Sequence, residues 1–473
     1  MFKLAGAFAL AAAFAATSAH GQAAAPKPDQ AAFRALYKEL VETNTTASVG
    51  SCTLAAQQLA ARLKAAGFPD SDLTVFSVPE FPKSGGLVAV YPGKDPKAKA
   101  VLLLAHLDVV EAKREDWTRD PFKLVEEGGF FYARGSMDDK AQAAIWADTL
   151  IRYRQEGFHP KRTIKMALTC GEEGGGPFNG ASWLVQNRRA LIDAEFALNE
   201  GAGGQLDDHG KRVAHTIEAG EKTSQSFTLE VTNPGGHSSR PVPDNAIYRL
   251  ADALEKIRAY EFPVMLNDAN RGYLTKMAKV AGGEQGAAMT AIVANPADAR
   301  ADAILSKDPG LHTMLRTTCV ATQLSAGHAP NALPQRATAN INCRIFPGVS
   351  REAVRAKLIE LIGDPQVSVS KVVVARGEAN APAPPLTPQV LGPIEKVSAE
   401  LWPGVPVVPI LQAGATDGIA LTAGGIPTYG VSGIFLEPNL GNIHGLNERV
   451  GVQALYEGRD FLYRLVKVYA EAP

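Results

Sequence analysis

The chain has 473 residues, of which 46% are hydrophobic and 21% are charged. This composition is typical of a globular protein and excludes a disordered, collagen-like or coiled-coil chain. Because 48 Lys and Arg residues balance 49 Asp and Glu residues, the net charge of -1 argues against binding to nucleic acid or another polyanion.

The N-terminus has the pattern of a secretory signal peptide. Met1, Phe2 and Lys3 precede an apolar segment over residues 4–16, and small residues follow up to Gly21. The apolar segment is too short to span a bilayer. We therefore expect residues 1–21 to be removed and the mature protein to be periplasmic or secreted, without membrane attachment.

Residues 22–221 alternate between helical and strand patterns. Helical periodicity over 31–42 and 54–66 is followed by apolar runs that predict buried parallel strands, with further helices between them. The predicted strands are 87–91, 100–105, 164–169 and 196–198, and the later helices are 141–154 and 181–187. Alternating strands and helices predict an α/β domain with an open, mostly parallel sheet covered on both faces.

The pattern changes at residue 222 to that of an antiparallel sheet with helices on one face. The predicted order is βαββαβ, with strands at 226–231, 317–324, 337–346 and 367–374 and helices at 245–259 and 351–362. The segment 262–308 cannot be assigned. From residue 377 the α/β pattern returns, with a helix at 389–401, a strand at 405–411 and a helix at 452–469. We therefore predict an α+β domain of residues 222–376 inserted into an α/β domain of residues 22–221 and 377–473.

The four cysteines leave their pairing open, since they are too few for a disulfide scaffold and none has a CxxC spacing. A symmetric hairpin centred on Asn331 would place Cys319 and Cys343 opposite each other. Opposed Cβ atoms lie about 4.5–5.5 Å apart, so the hairpin allows either a disulfide or two free core thiols. Nothing in the sequence indicates the partner of Cys52.

Side chains that can bind metal follow several predicted strands. Each motif alone fits an ordinary role, such as a surface pair or a helix cap, but together they define a site. The carboxyl ends of parallel strands converge on one crevice, and charges buried there must be paired or bound to metal. The residues are His106, Asp108, Asp138, Asp139, Glu172, Glu173, Glu200 and His444.

The ligand types indicate the kind of metal. Two imidazoles and several carboxylates without a thiolate favour Zn²⁺ or a similar divalent ion over Ca²⁺ or Mg²⁺. Because the ligands are too many for one tetrahedral ion, we expect two ions that share a bridging carboxylate.

These motifs resemble those of the di-zinc metallopeptidase family of aminoacylases, carnosinase-type dipeptidases and bacterial glutamate carboxypeptidases. The resemblance rests on HLD at 106–108, GSMDDK at 135–140, GEEG at 171–174, NEG at 199–201, GGHSS at 235–239 and His444, in the family's order. It implies that His106 and Glu200 bind one zinc ion, that Glu173 and His444 bind the other, and that Asp138 bridges both.

The resemblance also implies roles around the metals. Asp108 would hydrogen-bond the far nitrogen of His106, and Glu172 would be the general base. The peptide bond between Asp138 and Asp139 would be cis. His237 of the inserted domain would stabilise the developing oxyanion.

Three further residues are expected to bind substrate. Asn331 and Arg344 resemble the pair that binds a terminal carboxylate, for which the bidentate Arg fork is suited, although Arg344 also fits a surface salt bridge. Gly414 begins a loop that matches the family. Ile419 stands where relatives often carry Arg, which argues against a preference for acidic side chains.

The resemblance predicts an exported zinc-dependent peptidase that hydrolyses the amide bond next to a C-terminal carboxylate, as a carboxypeptidase or dipeptidase does. An N-acyl-amino-acid deacylase would use the same residues and stays open. A non-catalytic binding module is disfavoured because Glu172 and every ligand are present.

A homodimer is expected, because relatives pair their inserted lid and dimerisation domains edge to edge. The strand at 226–231 and the helix from Asn245 could supply the edge, with His237 serving the partner's site. Alternatively, the segment 262–308 could cover this edge and leave a monomer.

Overall fold

The computed structural model describes residues 28–174, 177–373 and 380–472. The predicted signal peptide and the predicted domain boundary at 376–377 lie outside the described residues. Within these ranges, no helix is both long and apolar enough to cross a membrane.

The helices and strands have the following bounds. The helices are α1 (Pro28–Glu42), α2 (Cys52–Ala65), α3 (Lys140–Gln155), α4 (Gly180–Asn187), α5 (Arg189–Ile192), α6 (Ala246–Arg258), α7 (Asp268–Ala281), α8 (Gly283–Ala294), α9 (Ala299–Leu305), α10 (Pro309–Leu315), α11 (Arg351–Ile362), α12 (Pro388–Leu401), α13 (Gly418–Ala423) and α14 (Val452–Glu471). The strands are β1 (Leu73–Val78), β2 (Phe81–Tyr91), β3 (Val101–His106), β4 (Val125–Glu127), β5 (Phe130–Tyr132), β6 (Ile164–Thr169), β7 (Phe196–Asn199), β8 (Gly204–Leu206), β9 (Arg212–Glu221), β10 (Thr223–Thr232), β11 (Gly236–His237), β12 (Thr318–Ala326), β13 (Ala332–Leu333), β14 (Arg336–Ile345), β15 (Val367–Lys371), β16 (Val407–Gln412), β17 (Thr428–Gly430), β18 (Phe435–Leu436) and β19 (Arg449–Gly451).

The larger domain is built on a ten-stranded sheet with the order β1-β2-β6-β3-β7-β17-β9-β8-β18, in which β16 also pairs with β9. The central strands β6, β3, β7 and β17 run parallel. Helices α1, α2, α3, α12 and α14 pack on one face, and α4, α5 and α13 pack on the other. The prediction of a mostly parallel, covered sheet is confirmed.

The direction predicted for the strand at 87–91 is wrong. This segment belongs to β2, which pairs antiparallel with both β1 and β6. The residues Leu87, Val88 and Ala89 are fully buried, as in a parallel strand, because helices and other strands cover both faces there. A run of apolar residues predicts that a strand is buried, but it does not predict whether the strand runs parallel or antiparallel to its neighbours. Here a short turn between β1 and β2 reverses the chain, so the two strands pair antiparallel.

The inserted domain has a four-stranded sheet of order β12-β14-β10-β15, with α6 and α11 packed on one face. The predicted βαββαβ order is therefore present as β10, α6, β12, β14, α11 and β15. However, β10 contains the segment 226–231 and is paired on both sides, with β14 and β15, so the prediction that this segment forms the free edge is wrong. The edge strands are β12 and β15, and the side chains of β12 are exposed from Val320 to Ala326.

The segment 262–308 forms helices α7, α8 and α9, which share a small core of their own with α10. Helix α7 packs against β16 of the larger domain. At Gly272 the contact is so close that a Cβ atom would lie 2.5 Å from Cγ of Pro409. Lys276 Nζ donates a hydrogen bond to the carbonyl of Val407 at 2.8 Å. The segment thus joins the two domains and leaves the side chains of β12 exposed.

Two disulfides are present. Cys319 and Cys343 face each other across β12 and β14, as the hairpin predicts, and are bonded. Cys52 is bonded to Cys170 and joins α2 to the segment after β6.

Candidate functional site

The predicted metal ligands lie at one edge of the central sheet. His106 ends β3, Glu200 directly follows β7, and Glu173 lies in the turn after β6. Because β6, β3 and β7 are parallel neighbours, their carboxyl ends bring these side chains together. Asp138 comes from the loop before α3, and His444 from the loop before β19.

The five side chains form two groups of three that share Asp138, and the ligand atoms of each group lie within 4.8 Å of one another. In the first group, His106 Nε2 lies 3.0 Å from Asp138 Oδ1 and 3.5 Å from Glu200 Oε1. In the second, His444 Nε2 lies 3.1 Å from Asp138 Oδ2 and 2.8 Å from Glu173 Oε2. Each oxygen of Asp138 therefore faces a different group.

The charges of these groups fit two divalent cations. Hydrogen bonds to Asp138 and Glu173 raise the pKa of His444 to about 10. Burial lowers the pKa of His106, but the carboxylates of Glu200, Asp108 and Asp138 outweigh it, and the net pKa is raised well above the usual value. The two groups together contain three carboxylates and two imidazoles, so carboxylates outnumber imidazoles in this mostly buried site. Metal cations would balance the excess of negative charge.

Asp108 positions its neighbours through two different groups, its backbone carbonyl and its side-chain carboxylate. Its backbone carbonyl lies 2.9 Å from His106 Nδ1, closer than its carboxylate at 3.6 Å. The carboxylate accepts hydrogen bonds from the backbone N–H groups of Glu172 at 3.3 Å and Glu173 at 3.0 Å. The carboxylate thus holds the Glu172–Glu173 turn, while the carbonyl makes the shorter contact to the imidazole.

The peptide bond between Asp138 and Asp139 is cis, as the resemblance implies. Asp139 is buried, and its carboxylate accepts a hydrogen bond from the backbone N–H of His106 at 3.3 Å. Burial, followed by the charge of Glu200, raises the pKa of Asp139 well above the usual value.

A cavity of about 420 Å³ opens beside the metal groups. Glu172, Glu200, Asp138 and His444 line it, together with the predicted substrate-binding residue Gly414. Glu172 is only 6% exposed. The cavity therefore brings the predicted general base next to both groups of ligands.

The structure does not bring the other predicted substrate residues to this cavity. His237 lies in the small two-stranded β11–β13 sheet and is exposed, and the backbone carbonyl of exposed Asn331 accepts a hydrogen bond from the N–H of Ser238 at 3.0 Å. Arg344 is half-buried in β14, opposite Thr318 of the edge strand. These three residues belong to the inserted domain, and none of them lines the cavity.

A polar network behind the ligands was not predicted from the sequence. The carboxylate of Asp417 accepts hydrogen bonds from Thr169 Oγ1 at 2.8 Å and Asn179 Nδ2 at 2.6 Å. Thr416 Oγ1 accepts one from Asn199 Nδ2 at 2.9 Å. The GATDG loop at 414–418, which matches the family, is thus hydrogen-bonded to the last residues of β6 and β7. The sequence alone does not show whether its side chains position other residues or take part in catalysis.

A second unpredicted element is Glu448, whose carboxylate is buried behind the loop that carries Asp138. It accepts hydrogen bonds from Arg134 and from backbone N–H groups of that loop. In the sequence its only signal is its position four residues after His444.

Comparison with known proteins identifies the family. The model of peptidase family M20/M25/M40 matches residues 102–468, most of the chain. This protein belongs to the M20 peptidase family. The family predicted from the motifs is therefore confirmed, and with it the class of metallopeptidases and related amidohydrolases.

Individual M20 proteins show the extent of the similarity. The chain is 29% identical over 389 residues to human N-fatty-acyl-amino acid synthase/hydrolase PM20D1, which covers 79% of this chain and 75% of that protein. Its fold matches the M20 metallo-carboxypeptidase Sso-CP2 from Sulfolobus solfataricus with a TM-score of 0.67 at 18% identity, covering 94% and 100% of the two chains. It also matches YXEP from Bacillus subtilis, a dinuclear metal-binding peptidase, with a TM-score of 0.60 at 13% identity and coverage of 94% and 99%. The predicted α/β fold, with a large and mostly parallel sheet beside a separate antiparallel sheet, is confirmed by the match to these M20 structures.

Proposed function

We propose that this protein is a binuclear zinc hydrolase that cleaves the amide bond next to a free carboxylate. The observation that carries the proposal is the pair of ligand groups sharing Asp138, with Glu172 in the same cavity. His106 and Glu200 would hold one ion, and Glu173 and His444 the other. Imidazole and carboxylate ligands without thiolate suit Zn²⁺.

The reaction follows from the position of Glu172. Bound zinc ions would supply Lewis acidity toward the scissile carbonyl and the attacking water. Glu172 accepts a proton from that water and delivers it to the leaving nitrogen. The Asp108 carboxylate positions Glu172 through its backbone N–H, so the base is held by the same turn that presents Glu173.

The inserted domain completes the site in this proposal. His237 stabilises the oxyanion, Asn331 and Arg344 bind the substrate carboxylate, and Gly414 contacts the substrate from the larger domain. Because His237 is exposed and outside the cavity of its own chain, we propose that it serves the site of a second subunit.

The edge strand β12 supplies the surface for that pairing. Val320 and Leu324 are exposed by 60% and 67%. An uncovered strand edge with apolar side chains favours pairing with another strand, and two-fold symmetry closes the assembly at a dimer. This surface replaces the segment 226–231 as the proposed contact.

Two substrate classes fit this chemistry. A peptide with a free C-terminus is supported by the fold shared with the metallo-carboxypeptidase Sso-CP2. An N-acyl amino acid is supported by the similarity to PM20D1, which is named for action on N-fatty-acyl amino acids. Both present a carboxylate next to the scissile amide.

Export is supported by two features. The sequence begins with the predicted signal peptide, and the described residues contain two disulfides. Disulfides persist in oxidising compartments such as the periplasm or the extracellular space. We therefore propose that the mature protein acts there.

The test is a substrate screen on protein stripped with a chelator and reloaded with Zn²⁺, Mn²⁺ or Co²⁺. Dipeptides and N-acetyl amino acids are assayed beside the same compounds with the carboxylate converted to an amide. We expect hydrolysis that requires metal and is lost with the amidated compounds. Absence of hydrolysis by protein shown to hold two metal ions would contradict the proposal.

A further inference from the structure

The disulfide between Cys52 and Cys170 lies directly behind the turn that carries the proposed general base. Cys170 follows the last residue of β6, and Glu172 and Glu173 come two and three residues later. The two sulfur atoms and a carboxylate oxygen of Asp108 all lie within 4.8 Å of one another. This carboxylate accepts the hydrogen bonds of the backbone N–H groups of Glu172 and Glu173. The disulfide and the base are therefore connected through one short turn and one carboxylate.

The turn leaves the sheet at Cys170, so strand pairing does not set the position of Glu172. Gly171 has a φ of 93°, which favours glycine, and a Cβ atom there would lie 2.0 Å from the carbonyl oxygen of Phe178. The carbonyl of Cys170 accepts a hydrogen bond from the N–H of Gly180 at 2.7 Å. The base is thus placed by contacts made outside the strand, and the disulfide is the covalent one.

At its other end the disulfide is attached to a fixed part of the larger domain. Cys52 is the first residue of α2 and is 1% exposed. The side chain of Ser51 caps this helix by accepting a hydrogen bond from the N–H of Leu54 at 3.1 Å. Thr53 Oγ1 donates to the carbonyl of Pro82 in β2 at 2.7 Å. The disulfide therefore ties the turn to a helix that is itself held on the central sheet.

The second disulfide lies in the inserted domain. Cys319 and Cys343 face each other on β12 and β14, which are already paired along their length. Neither residue lines the active-site cavity. The chain thus carries one disulfide beside the turn of the base and one away from it, and the second can serve as a control for the first.

We infer that the Cys52–Cys170 disulfide positions Glu172 for catalysis, so that full turnover requires the oxidised chain. A general base must lie within hydrogen-bond reach of the water that it deprotonates, and a displacement of about 1 Å can lower the rate about a hundredfold. Without the bond, non-covalent contacts alone hold Cys170 near α2, and the turn can shift together with the Asp108 carboxylate. This inference rests on the proposed function, because it concerns the base of the same reaction.

The inference links turnover to the compartment in which the chain resides. In a reducing compartment both cysteines stay as thiols, and the chain has low turnover even when it holds metal. Oxidation by a small disulfide removes two electrons and two protons from the two thiols, and the small disulfide is reduced to two thiols. The proposed export to an oxidising compartment would therefore complete the site after the chain has left the compartment of its synthesis.

The test compares two double variants of the metal-loaded full chain, Cys52→Ala/Cys170→Ala and Cys319→Ala/Cys343→Ala. We measure kcat, KM and metal content with one N-acetyl amino acid and one dipeptide, at a temperature below the Tm of both variants. The first variant should hold two metal ions and lose at least about tenfold in kcat, with KM changed less than about twofold. The second should keep kcat within about twofold of wild type. An unchanged kcat in folded Cys52→Ala/Cys170→Ala protein, or equal losses in both variants, would overturn the inference.

Reduction of the Cys319→Ala/Cys343→Ala chain gives a second measurement, because this chain keeps only the cysteines of the first disulfide. A phosphine converts the bond to two thiols, and water supplies the two protons and the oxygen of the phosphine oxide. Urea is added until mass spectrometry shows both thiols, and the chain is diluted into Zn²⁺ buffer. We expect kcat to fall at least about tenfold with native circular dichroism, and oxidised glutathione to restore it.

Two results of the reduction would overturn the inference. One is an unchanged kcat in the reduced chain. The other is a loss of kcat that accompanies loss of native circular dichroism in both the reduced chain and Cys52→Ala/Cys170→Ala, which would assign the disulfide to folding alone. No hydrolysis by metal-loaded wild type would instead count against the proposed function.

Discussion

Arg134 and Glu448 form a buried ion pair behind the second metal group, with 2.7 Å between Nη1 and Oε2 and side chains exposed by 3% and 0%. Arg134 Nη2 also donates to the carbonyl of Gly445 at 2.9 Å, directly after His444. The Glu448 carboxylate accepts from the backbone N–H groups of Gly135, Met137 and Asp138. One ion pair therefore fixes the loops of two ligands that are far apart in the sequence.

We expect Arg134→Met to weaken metal binding at the group of Asp138, Glu173 and His444. The change leaves the Glu448 carboxylate buried without its charged partner, which costs about 3–5 kcal/mol of stability. Metal content after dialysis and thermal unfolding measure the two effects. Arg119→Met is the control, because it breaks an ion pair whose Glu127 side chain is 60% exposed, worth below about 1 kcal/mol. Full metal content and an unchanged Tm in Arg134→Met would show that the pair does not position the ligands.

Glu172→Ala should retain two metal ions and lose at least about a hundredfold in kcat, because Glu172 is the base and not a ligand. His444→Ala should lose metal as well as activity. Metal content and turnover are measured on the same preparations. More than a few per cent of wild-type activity in fully loaded Glu172→Ala would make the assignment of the base wrong.

Mixing His237→Ala chains with Glu172→Ala chains should restore activity if sites are shared between subunits. In a heterodimer one site then receives both changes and the other neither, so up to about half of the activity returns. Subunit exchange followed by assay makes the measurement, and each variant alone is the control. Inactive heterodimers, or a fully active monomer, would contradict a shared site.

The stability of the protein should rise with pH above neutral through Lys222. Burial, followed by the charges of Arg344 and Arg316, lowers the pKa of this lysine to about 7, against the ordinary 10.5. Between these values the unfolded chain binds more protons, so the free energy of unfolding increases as pH rises. Lys222→Met should remove that increase.

The check on Lys222 is the difference in Tm between wild type and Lys222→Met at pH 7 and pH 9.5, which should grow in favour of wild type. Lys279→Met, which removes an exposed lysine of α7, is the control and should give a constant difference. An equal Tm difference at both pH values for Lys222→Met would contradict the assigned shift.

The two disulfides should contribute unequally to stability. Cys52 and Cys170 are separated by 118 residues, and Cys319 and Cys343 by 24. Loop-closure entropy gives about 5 kcal/mol for the longer loop and about 3 kcal/mol for the shorter. Denaturant unfolding of the two double Cys→Ala variants compares them. Peptide mapping without reductant is the independent check, and alkylated free Cys319 would rule out the shorter bridge.

The sequence predicted most of the sheet because its central strands are buried on both faces. All six residues of β3 are buried, so the strand is a continuous apolar run that ends at His106. The direction of β2 and the internal place of β10 could not be predicted, since both depend on which strands pair with them. The segment 262–308 escaped assignment partly because α8 is rich in Ala and Gly and shows little polar alternation.

His106, Glu173 and Glu200 were predictable because each follows a strand within a recognisable motif. Asp138 and His444 lie in loops, before α3 and before β19, and were found through the motifs around them. Glu448 and Asp417 were not predicted, because they bind backbone N–H groups and other side chains, Arg134 among them, rather than substrate or metal. The position of His237 relative to the cavity could not be predicted from the sequence either, because it depends on how the inserted domain is oriented against the larger domain.

The contact between Gly272 and Pro409 restricts movement of the inserted domain against the larger one. Helix α7 belongs to that domain but rests on β16, so a rigid rotation must use this contact as its axis or break it. The two-stranded β11–β13 sheet with His237 would then swing on an arc whose centre lies in the larger domain. A larger side chain at position 272 would displace that centre, and would alter the reach of His237 without touching a metal ligand.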